Sequence, residues 1–179
     1  DHLANYQVTM ANISASDYST VAKMDFHEDP DEKIIALAVN YSGDITVNST
    51  THSSTSADAH IIYLEFDRQD GFDFVDDFRL HGSGDEVIQD IMFNNTPFIY
   101  HLPNNFTGST TQPERDLLIA VNFSDELKYT YNSTPVTKNE QSSNADLLVL
   151  SHDYGQDEVR WSQQIDLSGM GFASSLFVR

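Results

Sequence analysis

Apolar and polar residues alternate at a period of two through most of this chain. That pattern restricts the fold more than any other feature, because a β-strand turns successive side chains to opposite faces. In KIIALAVNY the apolar phase is Ile35, Leu37, Val39 and Tyr41, and it continues through Ile45 and Val47 of DITVN. HIIYLEFD gives Ile62, Leu64 and Phe66, and DLLIAVNF gives Leu117, Ile119, Val121 and Phe123, while ELKYTYN gives Leu127, Tyr129 and Tyr131. Strands at 116–124 and 126–132 are expected to form a hairpin. Further short strands are expected at 2–12, 20–26, 97–102, 146–152, 159–167 and 171–178. HEDPDEK reads as an acidic turn around Pro30, and three polar stretches read as loops: hydroxyl-rich 49–60 (with room for O-glycans), PNNFTGSTTQPER at 103–115, and 133–145. Only EVIQDIMF departs from alternation, with Val87, Ile88, Ile91 and Met92 at a spacing that suits one helical turn or a strand. Ten or more short strands predict an all-β, two-sheet sandwich or jelly roll with long polar loops. At 179 residues, with 11 Phe and 8 Tyr for bulk, one domain spanning 1–179 is the expectation.

Charge limits the partners. The chain carries 28 acids against 9 Lys and Arg, a formal net charge of −19. Phosphate contacts need Lys and Arg, so nucleic acid is not an expected partner, and neither is an anionic membrane. No stretch approaches the roughly twenty apolar residues of a membrane-spanning helix, so no membrane insertion is expected. The absence of cysteine excludes disulfides, thiol catalysis and Cys-ligated zinc.

Compartment is indicated by Asn-x-Ser/Thr acceptors, which stand at Asn12, Asn40, Asn48, Asn94, Asn105, Asn122 and Asn132. Chance would give about two. Alternation turns Asn40, Asn48, Asn122 and Asn132 away from the apolar phase, toward solvent, whereas Asn12 shares its phase with Val8 and Met10. N-linked glycans, and hence an extracellular or cell-surface location, are expected. The first residue, Asp1 rather than Met, is consistent with a processed chain.

Residues 61–90 hold nine carboxylates with only Arg68 and Arg79 beside them. Acids so dense repel one another unless a cation intervenes. Calcium, which takes about six to eight oxygen ligands, is the expected cofactor. Its candidate ligands are Asp67, Asp70, Asp73, Asp76 and Asp77, then Asp85 with Glu86, and Asp153 with Asp157 around Gly155. The spacing is not that of an EF-hand, and a solvated acidic surface is the alternative. Asp76 interrupts an apolar phase of Phe72, Phe74, Phe78 and Leu80, which implies a β-bulge or an ion there. The seven histidines show no His-Glu-x-x-His pair and read as surface residues, and Trp161 shares a phase with Val159, Ile165 and Leu167, so it reads as core. No nucleophile elbow, P-loop or dinucleotide fingerprint occurs, so no enzyme is expected.

Three classes of function remain: a structural subunit of an extracellular filament, tube or surface layer; a calcium-dependent carbohydrate-binding or adhesion module; and a secreted hydrolase. The first fits the N-terminal strand best. Its apolar face, Tyr6, Val8 and Met10 following Ala4, precedes a polar connection, so it could leave its own domain and complete a neighbour's sheet. In overall profile, through this strand, the Asp67 to Asp77 acids and the β-rich, cysteine-free chain, the sequence is similar to secreted archaeal and bacterial fibre subunits of the TasA, camelysin and cannula kind. The resemblance implies a jelly roll whose copies polymerise by donor-strand exchange, in cannulae with calcium. The excess of Asp over Lys also resembles haloarchaeal surface proteins.

Overall fold

A computed structural model describes residues 13–28, 33–67, 71–94, 116–131, 133–141 and 145–167. They form β1 (Ile13–Ala15), β2 (Ser19–Glu28), β3 (Lys33–Val47), β4 (Thr50–Asp67), β5 (Gly71–Gly82), β6 (Glu86–Phe93), β7 (Asp116–Phe123), β8 (Glu126–Tyr131), β9 (Thr134–Asn139), β10 (Asp146–Asp153) and β11 (Glu158–Ile165). A seven-stranded sheet runs β1-β3-β4-β5-β8-β9, with β2 also on β3, and a four-stranded sheet runs β11-β10-β7-β6. Every pairing is antiparallel. The two sheets pack as a sandwich, the expected all-β class. Among the described residues no helix is long and apolar enough to cross a membrane. The strands expected at 2–12, 97–102 and 171–178 lie outside the described residues, as do the acidic turn at Pro30 and the loop at 103–115.

The layer between the sheets takes Ile34, Ala36 and Ala38 from β3, Ile61 and Tyr63 from β4, and Phe78 and Leu80 from β5. Facing them are Ile88, Ile91 and Phe93 of β6, Leu117, Ile119, Val121 and Phe123 of β7, and Leu148 and Leu150 of β10. The phase expected to supply the core of β3 lies elsewhere: Val39, Tyr41, Ile45 and Val47 join Ile62 and Leu64 in a second buried cluster. β3 and β4 are thus apolar on both faces where they are central, as strands covered on both sides must be.

Two stretches read as loops are strands. The hydroxyl-rich 49–60 belongs to β4, paired with β3 through a tight turn at Asn48 and Ser49, whose φ of 45° and 72° mark the left-handed pair that a two-residue hairpin requires. Thr and Ser suit a strand lying at the surface, which is why polarity alone misleads there. Likewise β9 occupies part of 133–145 and pairs with β8. The expected hairpin of β7 with β8 does not form. β7 pairs with β6 and β10, β8 with β5 and β9, so Ser124 and Asp125 carry the chain from one sheet to the other.

β-Bulges account for the remaining differences. In β6, Ile88 pairs with Val121 and Asp90 with Ala120, leaving Gln89 extra. The buried phase jumps from Glu86 and Ile88 to Ile91 and Phe93, so a spacing of three that imitates a helix comes from one inserted strand residue. In β5 the extra residue is Val75, between Phe74 opposite Leu64 and Asp76 opposite Tyr63. This is the bulge expected at Asp76, and it puts Phe72 and Phe74 against the second cluster while Phe78 and Leu80 face the inter-sheet layer. In β11 the extra residue is Arg160, which keeps Val159 in the core and turns Trp161 out to 37% exposure, correcting its core assignment.

Two of the three crossings between sheets, β5 to β6 and β7 to β8, meet at one place; the third runs from β9 to β10. A Cβ added to Gly82 would lie 1.6 Å from the Glu126 carbonyl oxygen, and one added to Gly84 2.1 Å from that of Ser124. Backbone cannot recede as a side chain can, so only glycine fits. Gly82→Ala should therefore cost about 3 kcal/mol or more, read as a lowered denaturant midpoint. An unchanged midpoint would show that the crossings are not packed against each other.

Candidate functional site

β4 runs antiparallel to β3 along its whole length but bulges between Ser54 and Asp58. Tyr41 pairs with Asp58 and Gly43 with Ser54, so four steps along β4 span two along β3. Ser54 Oγ donates to Asp58 Oδ1 at 2.6 Å, and Arg79 Nη2 donates to Asp58 Oδ2 at 2.5 Å and to the Ser53 carbonyl at 2.8 Å. This wide bulge brings His52 and His60, eight positions apart, to a ring separation of 5.0 Å. Asp77 approaches from β5. Its Oδ2 lies 2.5 Å from His60 Nε2 and 3.6 Å from His52 Nε2. Among the described residues these three form the one group of metal-capable donors lying within 4.8 Å of one another. The hydrogen bond from His60 holds the Asp77 carboxyl below the ordinary range, and burial pushes the His52 imidazole down, toward its neutral form.

Asp58 ties this corner to the sandwich interior. It is buried, neutralised by Arg79 and reached by the Tyr41 hydroxyl at 3.3 Å. Burial raises the Tyr41 hydroxyl well above the ordinary range, so it serves as a donor and not as a base. Glu86 is fully buried, and neither carboxyl oxygen has a hydrogen-bond partner of good geometry among the described residues. Burial first, then the neighbouring Asp58 carboxylate, pushes its carboxyl up to about 9. Glu86 is therefore a neutral acid at physiological pH.

Among the described residues no three of the other expected calcium ligands lie within 4.8 Å of one another, although Asp157 acts on Asp76, and both, with Asp153, act on the Tyr63 hydroxyl. Asp73 is exposed on β5, and Asp85 is exposed and accepts a hydrogen bond from the Ala57 amide at 3.1 Å. Asp76 is half-buried, and burial raises its carboxyl. Asp153 is already compensated: Arg160 Nη2 donates to it at 2.6 Å, while Arg160 Nε donates to the buried Asp116 at 2.6 Å. Asp157 is exposed, its Oδ1 3.5 Å from Nε2 of the fully buried His152. That histidine meets the Tyr63 hydroxyl at 2.8 Å through Nδ1 and stacks on Phe78 at 4.2 Å, so it is a core residue and not the expected surface one. Asp67 ends β4, and Asp70 lies outside the described residues.

Among the described glycan acceptors only Asn48, in its exposed turn, faces solvent as expected. Asn40 is 8% exposed and its Oδ1 accepts from the Ile88 amide at 3.0 Å, because β3 turns that phase toward the other sheet. Asn122 does oppose the core phase of β7 but is 1% exposed, and Asn94 is buried as well. Asn12, Asn105, Asn132 and the arm residues Tyr6, Val8 and Met10 lie outside the described residues. The arm's natural counterpart is visible. β2 has one strand partner among the described residues, and it leaves Val21, Met24 and Phe26 at 58%, 63% and 43% exposure, next to Tyr18.

Glu86 gives a pH signature. Folded, it keeps its proton to about 9; unfolded, it loses it near 4.5. The folded state holds the extra proton between those values, so this group's contribution to stability falls as pH rises through that window. Glu86→Gln keeps a donor for Asp58, and it should exceed the parent in stability at pH 8 by on the order of a few kcal/mol, with the difference gone near pH 4. Denaturant melts at the two pH values check this, and equal gains at both would exclude a buried neutral acid. No family model, no curated protein and no solved structure matches the chain.

Proposed function

We propose that this chain is a structural subunit of an extracellular, glycosylated filament, tube or surface layer, in which a strand from one copy adds to the free edge of the next. The observation that carries the reading is β2. A ten-residue edge strand with large apolar side chains left in water is the feature that monomeric β-proteins remove with charges, prolines or a covering segment. The occupant is residues 2–12 of a second copy, whose alternating Ala4, Tyr6, Val8 and Met10 can lay apolar side chains beside Val21 and Met24 while main-chain hydrogen bonds extend the sheet. Strand addition by itself needs no calcium, since main-chain hydrogen bonds join the copies.

Electron microscopy and size-exclusion chromatography of the purified chain test it. The parent should form polymers, and both the double variant V21K/M24K and a chain lacking residues 1–12 should remain folded monomers. Polymers undiminished in V21K/M24K, or a parent that stays monodisperse, would refute it.

Location rests on the acceptor asparagines. Glycopeptide mass spectrometry of protein from its native source should find Asn48 modified and Asn40, Asn94 and Asn122 bare, because a glycan has no room at a buried side chain. Bare asparagine at all seven acceptors would remove the support for a glycosylating compartment.

One observation favours a second reading, carbohydrate binding: Trp161 is exposed on β11, the edge strand of the four-stranded sheet. An indole so placed can stack on a sugar ring. A polysaccharide retained by the parent and released by W161A would support it.

A further inference from the structure

We infer that His52, His60 and Asp77 bind a divalent first-row transition-metal ion of the zinc class. The donor set decides the chemistry. Two imidazoles and one carboxylate suit zinc and its neighbours, whereas calcium requires a shell of oxygens. Three protein ligands with a fourth position left to water are the usual complement of an accessible zinc site. The fourth position has solvent to draw on, because the His52 and Asp77 side chains are 23% and 27% exposed while His60 is fully buried.

Geometry also favours an ion over a simple His–Asp hydrogen bond. Such a bond uses His60 and Asp77 alone, and it leaves the buried His52 Nε2 with no hydrogen-bond partner among the described residues, although it points at the same carboxylate oxygen from 3.6 Å. An orphaned buried nitrogen costs about 1–3 kcal/mol; a cation would use its lone pair. Donors around tetrahedral zinc lie about 3.3 Å apart, and this group spans no more than 4.8 Å. Binding would draw the Asp77 carboxylate roughly 1 Å from its present contact with His60. Arg79, across the ladder from His60, is the cation whose charge reaches His52, and its guanidinium is held on Asp58 and the Ser53 carbonyl, not on Asp77. All three ligands stand on paired strands, which fixes the site before the ion arrives.

The test is titration of the metal-stripped full chain with zinc, cobalt and calcium, read by calorimetry and by the visible absorption of bound cobalt. One equivalent of zinc should bind, cobalt should give a low-symmetry spectrum that zinc abolishes, and calcium should not compete. H52Q and D77N should each weaken zinc more than about 100-fold, since even outer-shell partners are worth about 10- to 100-fold. Circular dichroism verifies that both stay folded, and neither position carries core packing. A cobalt spectrum unchanged in both variants, or no stoichiometric zinc in the parent, would overturn the assignment.

Discussion

The sandwich depends on an approach of backbone to backbone. The chain passes between sheets after β5, after β7 and after β9, and the first two passages occur where Gly82 and Gly84 lie against Ser124 to Glu126. Side chains of any size would hold the strands apart and open the layer between Leu80 and Phe123. Hydrophobic burial supplies the driving force, but it can act only because this contact lets the sheets close. The same closure places Glu86, one strand position beyond the passage, in the interior beside Asp58.

Charge is managed by few cations. Against a formal charge of −19, Arg79 compensates Asp58, and Arg160 compensates Asp116 and Asp153 together. These are buried or half-buried pairs, where losing one partner is expensive. Exposed contacts such as Lys33 with Glu28 and Lys128 with Glu126 contribute little. The acidity that looked like one ion-binding stretch is therefore divided: part paired with arginine, part neutral through burial at Glu86, part solvated at Asp73 and Asp85, and part turned toward histidine at Asp77.

How much of this could be read from residues alone depended on where the strands keep strict alternation. β7 does so, and its core phase of Leu117, Ile119, Val121 and Phe123 was legible in full. β6, β5 and β11 each insert a residue, and a period-two reading loses its face at Gln89, Val75 and Arg160. The interruption at Asp76 signalled its bulge because a charge stood in an apolar phase. At Gln89 the break did show, as an apolar spacing that suits a helical turn as well as a bulged strand, whereas at Arg160 nothing signalled. Burial of β3 on both faces had the same effect on Asn40. The histidine pair was illegible for a further reason: His52 lies in a stretch whose polarity imitates a loop, and a spacing of eight gains meaning only once the bulge of β4 between Ser54 and Asp58 is known.

The order of strands has a consequence for how the molecule is made. β8 and β9 complete the first sheet, yet β6 and β7 of the second precede them in the chain. The far edge of β5 must therefore wait, unpaired, until residues 126–131 have left the ribosome. The seven-stranded sheet is complete only after β6 and β7 of the other have been made, and the four-stranded sheet only when β10 and β11 follow β9. Long-range pairing of this kind slows folding and leaves intermediate edges open to wrong partners, so the acid-rich β5 spends that interval relying on its own charges to turn neighbouring chains away.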